Sequence, residues 1–237
     1  MTKMTLGSAM SKTVKSEKPL DLSADISDII LSELASSLES LPIFGLLFKG
    51  YNALNTIQGE ISARKIYNFF YEIQNLRLED KAKVMDEISR SKGGVDEAGL
   101  LLLDLVDKSD DNLKPKLIGK LFVACAFCEI TTQQFLRLSS VVNNVFVDDL
   151  QKLKEVYEHN ALSDQLKSIY TANGLMEISI KKPQKLSQGY TMSELGGAIF
   201  DQGLALEYSL TDDGKLLAKV CFETTEKKGN TLEKFGV

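Results

Sequence analysis

Residues 131–150 read TTQQFLRLSSVVNNVFVDDL, and their pattern indicates the class of fold. Thr131 and Gln134 have the spacing of a capping box, in which a hydroxyl caps a helix and an amide lies three residues later. Apolar residues then recur every three or four positions, which is the period of an α-helix. The pattern predicts one helix from Thr132 to about Tyr157, whose apolar face is made of Phe135, Leu136, Leu138, Val141, Val142, Val145, Phe146 and Leu150.

The chain that precedes this helix carries the same period. Helical spacing of apolar residues predicts further helices at about residues 26–41, 43–51, 61–73, 79–93, 97–106 and 115–126. Gly93 and Gly94 are typical of a helix end, and Pro115 is typical of a first turn. We therefore predict a mainly α protein with a multi-helix bundle at residues 23–158. Residues 1–22 contain four lysines and few apolar groups, so we predict a disordered tail there.

Composition narrows the class of protein further. The 237 residues are 43% hydrophobic and 26% charged, which is typical of a globular protein with a sizeable core. The formal net charge of -5 does not steer the whole chain toward nucleic acid or anionic lipid. The three cysteines argue against a disulfide framework, and the N-terminal residues lack an export signal, so we expect a cytoplasmic protein. The longest apolar stretch, residues 41–54, is too short and too often interrupted to span a bilayer.

The pattern changes near residue 160, where we expect a second domain at residues 159–237. A short helix is predicted to end at Asn173 and Gly174, and residues 175–180 alternate as a strand does. A polar loop follows, then a second short strand at residues 188–192 and a helix that begins at Ser193. Residues 216–222 are predicted to form a final strand or helix.

Residues 162–200 carry a resemblance to a known module. The helix ends in Asn-Gly-Leu-Met at residues 173–176, and Tyr-Thr-Met-Ser-Glu-Leu-Gly follows at residues 190–196. This order resembles the second half of a winged-helix module, in which a sequence of the type Tyr-x-Leu-Thr-x-x-Gly announces the last helix. Here Met192 and Ser193 replace the usual leucine and threonine. The resemblance implies a small winged-helix-like α+β unit at about residues 160–205, of a kind that binds DNA in many proteins and another protein in many others.

Basic residues in this unit are candidate contacts to nucleic acid or to a partner. They are Lys167 on the short helix and the loop lysines Lys181, Lys182 and Lys185. Acidic residues surround them in sequence, and no arginine follows Arg137, although guanine readout most often uses arginine. This balance favours a wing that contacts protein over one that reads DNA.

Cys125 and Cys128 form a Cys-x-x-Cys pair, which raises redox chemistry or zinc as alternatives. A redox pair is typical of a helix start beside a βαβ unit, whereas this pair lies late in an apolar helix. Zinc needs four ligands, and the other candidates, Cys221 and His159, are far away in sequence. We predict that both cysteines are buried and that the chain binds no metal and no cofactor. The position of His159 at a predicted helix end is explained by its favourable interaction with the helix dipole.

The sequence contains no phosphate-binding loop, no dinucleotide fingerprint and no nucleophile elbow, so we predict that the protein is not an enzyme. The leading hypothesis is an intracellular interaction or regulatory protein that acts through surface contacts, most readily with another protein. One alternative is a DNA-binding transcriptional regulator that uses the winged-helix-like unit. The other is a membrane-associated effector of the defence or toxicity type, which would use the apolar residues 41–57 at a bilayer surface.

Overall fold

A computed structural model of the chain describes residues 4–16, 38, 40–51, 57–159, 162–180 and 206–223. The described residues form ten helices and one sheet of two strands. They are α1 (Leu6–Val14), α2 (Pro42–Tyr51), α3 (Ile57–Ile73), α4 (Leu78–Lys92), α5 (Val95–Asp107), α6 (Leu113–Ala126), α7 (Thr132–Asn144), α8 (Val147–His159), α9 (Asp164–Ala172), β1 (Met176–Ile180), β2 (Leu206–Leu210) and α10 (Asp212–Phe222).

The prediction of a mainly α protein is confirmed, and within the described residues strands occur only after residue 174. The chain separates into two compact units, residues 1–151 and residues 152–237. The division lies inside α8, a few residues before the position that the sequence analysis proposed.

An aromatic cluster forms the centre of the first unit. Phe44 on α2 lies 6.2 Å from Phe70 on α3, measured between ring centroids. Phe69 lies 5.5 Å from Phe70 and 5.7 Å from Phe122 on α6, and Phe122 lies 5.7 Å from Phe135 on α7. The last three pairs meet edge to face, an arrangement that the charge distribution of aromatic rings favours. Four helices thus contribute to one continuous core.

The prediction of a disordered N-terminal tail is wrong for residues 6–14, which form α1. Thr5 caps this helix, because its hydroxyl accepts a hydrogen bond from the backbone N–H of Ser8 at 3.1 Å. The helix packs on α5 where Gly7 and Gly99 meet, and a Cβ atom on Gly99 would clash with the carbonyl oxygen of Gly7. Because the contact is made by backbone and small side chains, the segment needs few large apolar residues, and its composition therefore resembles that of a tail.

The capping box at the start of α7 is confirmed. The hydroxyl of Thr131 accepts from the backbone N–H of Gln134 at 3.2 Å, and the side-chain oxygen of Gln134 accepts from the N–H of Thr131 at 2.9 Å. The predicted length of this helix is wrong, because α7 ends at Asn144 and a separate helix, α8, begins at Val147.

Asn143 and Lys114 account for the end of α7. The buried ammonium of Lys114 donates to the backbone carbonyl of Asn143 at 3.0 Å, and the side-chain amide of Asn143 donates to the carbonyl of Leu105 at 2.8 Å. These bonds tie the last turn of α7 to α5 and α6, and a cation at a helix C-terminus is favourable. Val145 then adopts an extended backbone, with φ -92° and ψ 139°. The chain restarts as a helix with two acidic residues in its first turn, which is typical of a helix N-terminus.

In the second unit, α9 leads into the antiparallel pair of β1 and β2, and α10 follows directly. The hydroxyl of Ser163 caps α9 by accepting from the N–H of Leu166 at 3.3 Å. The predicted strand at residues 175–180 is confirmed as β1, and the last predicted element, residues 216–222, is a helix within α10. The strand β2 is absent from the sequence predictions. The strand and helix predicted at residues 188–200 lie outside the described residues.

Candidate interaction surface

One face of the two-stranded sheet is apolar, and it is largely exposed except at the end where Met176 is buried. Ile178 pairs with Tyr208 and Ile180 pairs with Leu206, so these four side chains project to the same side of the sheet. The exposed fractions are 49% for Ile178, 61% for Ile180 and 53% for Leu206. We call these four residues the apolar sheet face. The other side of the same strands is polar and carries Glu177, Ser179, Glu207 and Ser209.

A cleft of about 360 Å³ joins the apolar sheet face to α9. The ammonium of Lys167 lies there, 2.7 Å from the carboxylate of Asp164 and 5.3 Å from the ring centroid of Tyr208. The hydrogen bond from Lys167 lowers the pKa of Asp164, which keeps this carboxylate ionised. The structure therefore pairs Lys167 with groups of its own unit, and its charge is partly neutralised.

The other three predicted contact residues, Lys181, Lys182 and Lys185, lie outside the described residues. The structure places Lys167 beside the sheet. The exposed apolar side chains on the sheet were missed by the sequence analysis. For Leu206 and Tyr208 the available signal was the alternation of residues 206–210, which read Leu-Glu-Tyr-Ser-Leu.

The connection from β2 into α10 contains a second signal that the sequence analysis missed. Residues 208–214 read Tyr-Ser-Leu-Thr-Asp-Asp-Gly, which matches Tyr-x-Leu-Thr-x-x-Gly without substitution. Thr211 caps α10, because its hydroxyl accepts from the N–H of Gly214 at 3.1 Å and donates to the carbonyl of Gly174 at 2.8 Å. A Cβ atom on Gly214 would clash with the carbonyl oxygen of Leu175. The threonine and the glycine of the pattern therefore hold α10 against the turn between α9 and β1.

The two cysteines of the Cys-x-x-Cys pair differ in exposure. Cys125 is buried as predicted, but the prediction is wrong for Cys128, which is exposed. The reason is local: α6 ends at Ala126, and Cys128 lies beyond that end with a left-handed backbone, at φ 59°. Among the described residues, no group of three or more His, Cys, Asp or Glu side chains is arranged to hold a metal ion.

The apolar segment at residues 41–57 contributes to the core where its side chains are described. Leu41, Ile43 and Phe44 are all buried, and Phe44 belongs to the aromatic cluster. In the part of the chain that the structure covers, every helix is too short or too polar to cross a bilayer.

His159 is the last residue of α8, and its Nε2 atom lies 3.9 Å from a carboxylate oxygen of Glu158.

Comparison with protein-family models, curated proteins and solved structures gave no match to this chain. A functional assignment therefore rests on the residues and geometry described above.

Proposed function

We propose that this chain is a non-enzymatic interaction protein whose second unit is a winged-helix-like module that binds another protein through the apolar sheet face. The observation that carries the proposal is the exposure of Ile178, Ile180 and Leu206 on one side of a two-stranded sheet. Exposed apolar side chains gathered in one patch mark a contact site more often than scattered ones do. Apolar groups surrounded by polar ones also resemble the centre and rim of protein interfaces.

The order of elements supports a winged-helix-like module. The described part of the unit runs from α9 through the turn at Gly174 and Leu175 to β1, and then from β2 into the capped helix α10. Residues 208–214 supply the expected pattern at the start of the last helix. In such a module the connection between the two strands is the wing, and the lysines Lys181, Lys182 and Lys185 follow β1 in sequence.

Charge favours a protein partner over DNA. In helix-turn-helix proteins, the N-terminal residues of the recognition helix contact base edges. The corresponding end of α9 carries Asp164, whose side chain is almost fully exposed, and a carboxylate there is repelled by phosphate. Lys167, the basic residue of α9, is already paired with Asp164. DNA binding remains the second candidate function, because the element order and the wing lysines Lys181, Lys182 and Lys185 fit it.

Site-specific photo-crosslinking in the full-length protein tests the proposal. A photoreactive phenylalanine analogue is placed at position 178 or 180, and the matched controls place it at position 177 or 179, on the polar side of the same strand. In cells of the source organism, we expect crosslinks from positions 178 and 180 to one discrete protein. Equal crosslinking from both sides of the strand, or crosslinking to DNA, would contradict a protein-binding apolar sheet face.

A substitution on the neighbouring strand separates binding from folding. Leu206→Glu places a carboxylate opposite position 180 and should abolish the crosslink formed there. Because Leu206 is half exposed, we expect the free energy of unfolding to change by no more than about 0.5 kcal/mol. A crosslink that persists in this variant would show that the partner does not use the apolar sheet face.

A further inference from the structure

A cleft in the first unit contains both residues of the Cys-x-x-Cys pair. Its volume is about 400 Å³, and side chains from α4, from the end of α6 and from the start of α7 line it. The residues that carry its chemistry are Lys83, Glu87, Cys125, Cys128 and Thr132. The cleft thus gathers two thiols, an ammonium, a carboxylate and a hydroxyl.

Cys128 occupies a backbone position that usually belongs to glycine. Its N–H donates to the carbonyl of Cys125 at 3.0 Å, and the N–H of Glu129 donates to the carbonyl of Ala124 at 2.9 Å. These two bonds are those of a Schellman motif, in which the residue at the position of Cys128 is left-handed and most often glycine. The turn directs the Cys128 side chain away from the core, so this thiol is exposed.

Lys83 contacts the exposed sulfur directly. Its ammonium donates to the Sγ atom of Cys128 at 3.0 Å, and this hydrogen bond is the main cause of the raised pKa of Lys83. The thiolate is the nucleophilic form of cysteine, and this contact places a positive charge beside the reacting sulfur. An oxidant can reach this sulfur from solvent.

Cys125 differs from Cys128, because its thiol is protonated and lies beside groups that can accept the proton. Burial raises the pKa of Cys125, and its Sγ atom lies 3.7 Å from the hydroxyl oxygen of Thr132. The Thr132 hydroxyl lies 2.5 Å from a carboxylate oxygen of Glu87 and donates to it. Because that hydroxyl proton is directed at Glu87, the Thr132 oxygen is left to accept the proton of Cys125.

The backbone holds the two cysteines at a spacing that a disulfide can span. Cys125 and Cys128 are the first and last residues of a turn closed by a hydrogen bond three residues apart. Such a turn keeps its end Cα atoms within about 7 Å. Disulfides join Cα atoms roughly 4.4–6.8 Å apart.

We propose that the Cys125–Cys128 pair is a modification site for hydroperoxides, at which Cys128 is oxidised first and Cys125 then closes a disulfide. In the first step the Cys128 thiolate attacks one peroxide oxygen. The O–O bond breaks and the sulfur becomes a sulfenic acid. The leaving hydroxide, or the alkoxide of an organic hydroperoxide, takes a proton from solvent to form water or an alcohol. In the second step the sulfur of Cys125 attacks that of Cys128. The S–O bond breaks, an S–S bond forms, and the departing oxygen leaves as water with the proton that Cys125 gives up through Thr132 and Glu87.

The test treats the reduced full-length protein with hydrogen peroxide and maps the products by mass spectrometry. We expect one disulfide between Cys125 and Cys128. Cys221, which is buried in α10, provides an internal control and should stay reduced. In Cys125→Ser the sulfenic acid at Cys128 should accumulate and be trapped by dimedone, whereas Cys128→Ser should give neither product.

Two further variants assign roles to the neighbouring groups. Lys83→Met should slow oxidation of Cys128 about tenfold, the order of effect for a lost charge-assisted hydrogen bond, and Lys83→Arg should restore most of the rate. Thr132→Val should slow disulfide closure without slowing formation of the sulfenic acid. Lys83 is exposed, so melting temperatures should be unchanged in both Lys83 variants. The proposal is overturned if Lys83→Met reacts as fast as the natural protein, if no Cys125–Cys128 disulfide forms, or if Cys221 is oxidised at the same rate.

Discussion

At the scale of a single residue, Phe44 distinguishes two hypotheses for the apolar residues 41–57. They belong either to the protein core or to a surface that contacts a bilayer. The Phe44 side chain is completely buried and lies against Phe70. Phe44→Ala removes a ring from a packed core, so we expect a loss of about 3–5 kcal/mol in the free energy of unfolding, measured by urea denaturation. Phe146→Ala is the matched control, because Phe146 is 58% exposed, and we expect a change below about 1 kcal/mol.

The hypothesis that residues 41–57 contact a membrane predicts the reverse result for Phe44→Ala. If residues 41–57 act at a bilayer, the substitution should leave the free energy of unfolding nearly unchanged and should weaken flotation with anionic liposomes. We expect the natural protein to stay in the unbound fraction of that assay.

The ion pair of Lys114 and Asp110 has a pH dependence with a definite sign. The Nζ atom of Lys114 lies 2.5 Å from the Asp110 carboxylate, and this hydrogen bond lowers the pKa of Asp110. A carboxyl group with a lowered folded-state pKa stabilises the fold above its unfolded pKa, near pH 4, and the contribution disappears as the pH falls through the folded-state value. Asp110→Asn should therefore lower stability at neutral pH and reduce its further decline below about pH 4.

An ion pair on the surface of the molecule supplies the control for the buried Lys114. Lys114 has no exposed surface, so loss of its partner leaves an ammonium inside the protein with fewer compensating bonds. The pair of Lys108 and Asp104 has the same spacing on the surface of the molecule, where both side chains are exposed. We expect Asp104→Asn to change the free energy of unfolding by less than about 0.5 kcal/mol, measured by urea denaturation at several pH values. Equal effects from the two substitutions would contradict a special role for the buried lysine.

At the scale of elements, α1 shows how a polar-looking segment becomes part of a fold. The hydroxyl of Ser11 donates to the carbonyl of Val95 at 2.7 Å, and the side chain of Lys15 forms an ion pair of 2.6 Å with Asp86. Together with the contact of Gly7 and Gly99, these bonds join α1 to α4 and α5. Each interaction uses a partner about 70 to 90 residues away in sequence.

Gly99→Ala tests whether α1 docks on α5, because docking decides whether the substitution raises or lowers the stability of the protein. In an exposed helix interior, replacing glycine by alanine stabilises by up to about 1 kcal/mol. Here the added Cβ meets the backbone of Gly7, so we expect destabilisation and faster hydrogen exchange in the amides of α1, while α6 stays protected. Increased stability with unchanged exchange in α1 would show that this helix does not dock on α5.

At the scale of the whole molecule, the acidic net charge disfavours DNA binding, whereas a local cluster of lysines favours it. The chain carries 33 acidic and 28 basic residues, so only a local cluster of lysines could hold a phosphate backbone. We expect at most weak, salt-sensitive binding to random duplex DNA, measured by fluorescence anisotropy. Changing Lys181, Lys182 and Lys185 to alanine should weaken it equally for all sequences and reduce its dependence on salt. A nanomolar, sequence-selective complex at physiological salt would make DNA binding the leading function.

Local signals in the sequence predict the helical class and most helix boundaries in the described first unit. The capping box of Thr131 and Gln134, the left-handed stop at Gly93 and the alternation that leads into β1 are local signals. Each acts over a few residues and needs no distant partner. The pattern at residues 208–214 is a local signal of the same kind.

Other features of the fold depend on contacts between residues that are far apart in sequence. The break between α7 and α8 depends on Lys114 reaching Asn143, and the helix at residues 6–14 depends on the close approach of Gly7 to Gly99. Two further contacts also join positions more than 25 residues apart. They are the contact of Cys128 with Lys83 and the pairing of Ile180 with Leu206. Such contacts depend on how complete elements pack, whereas helical period and caps depend on neighbours within one or two turns of the chain.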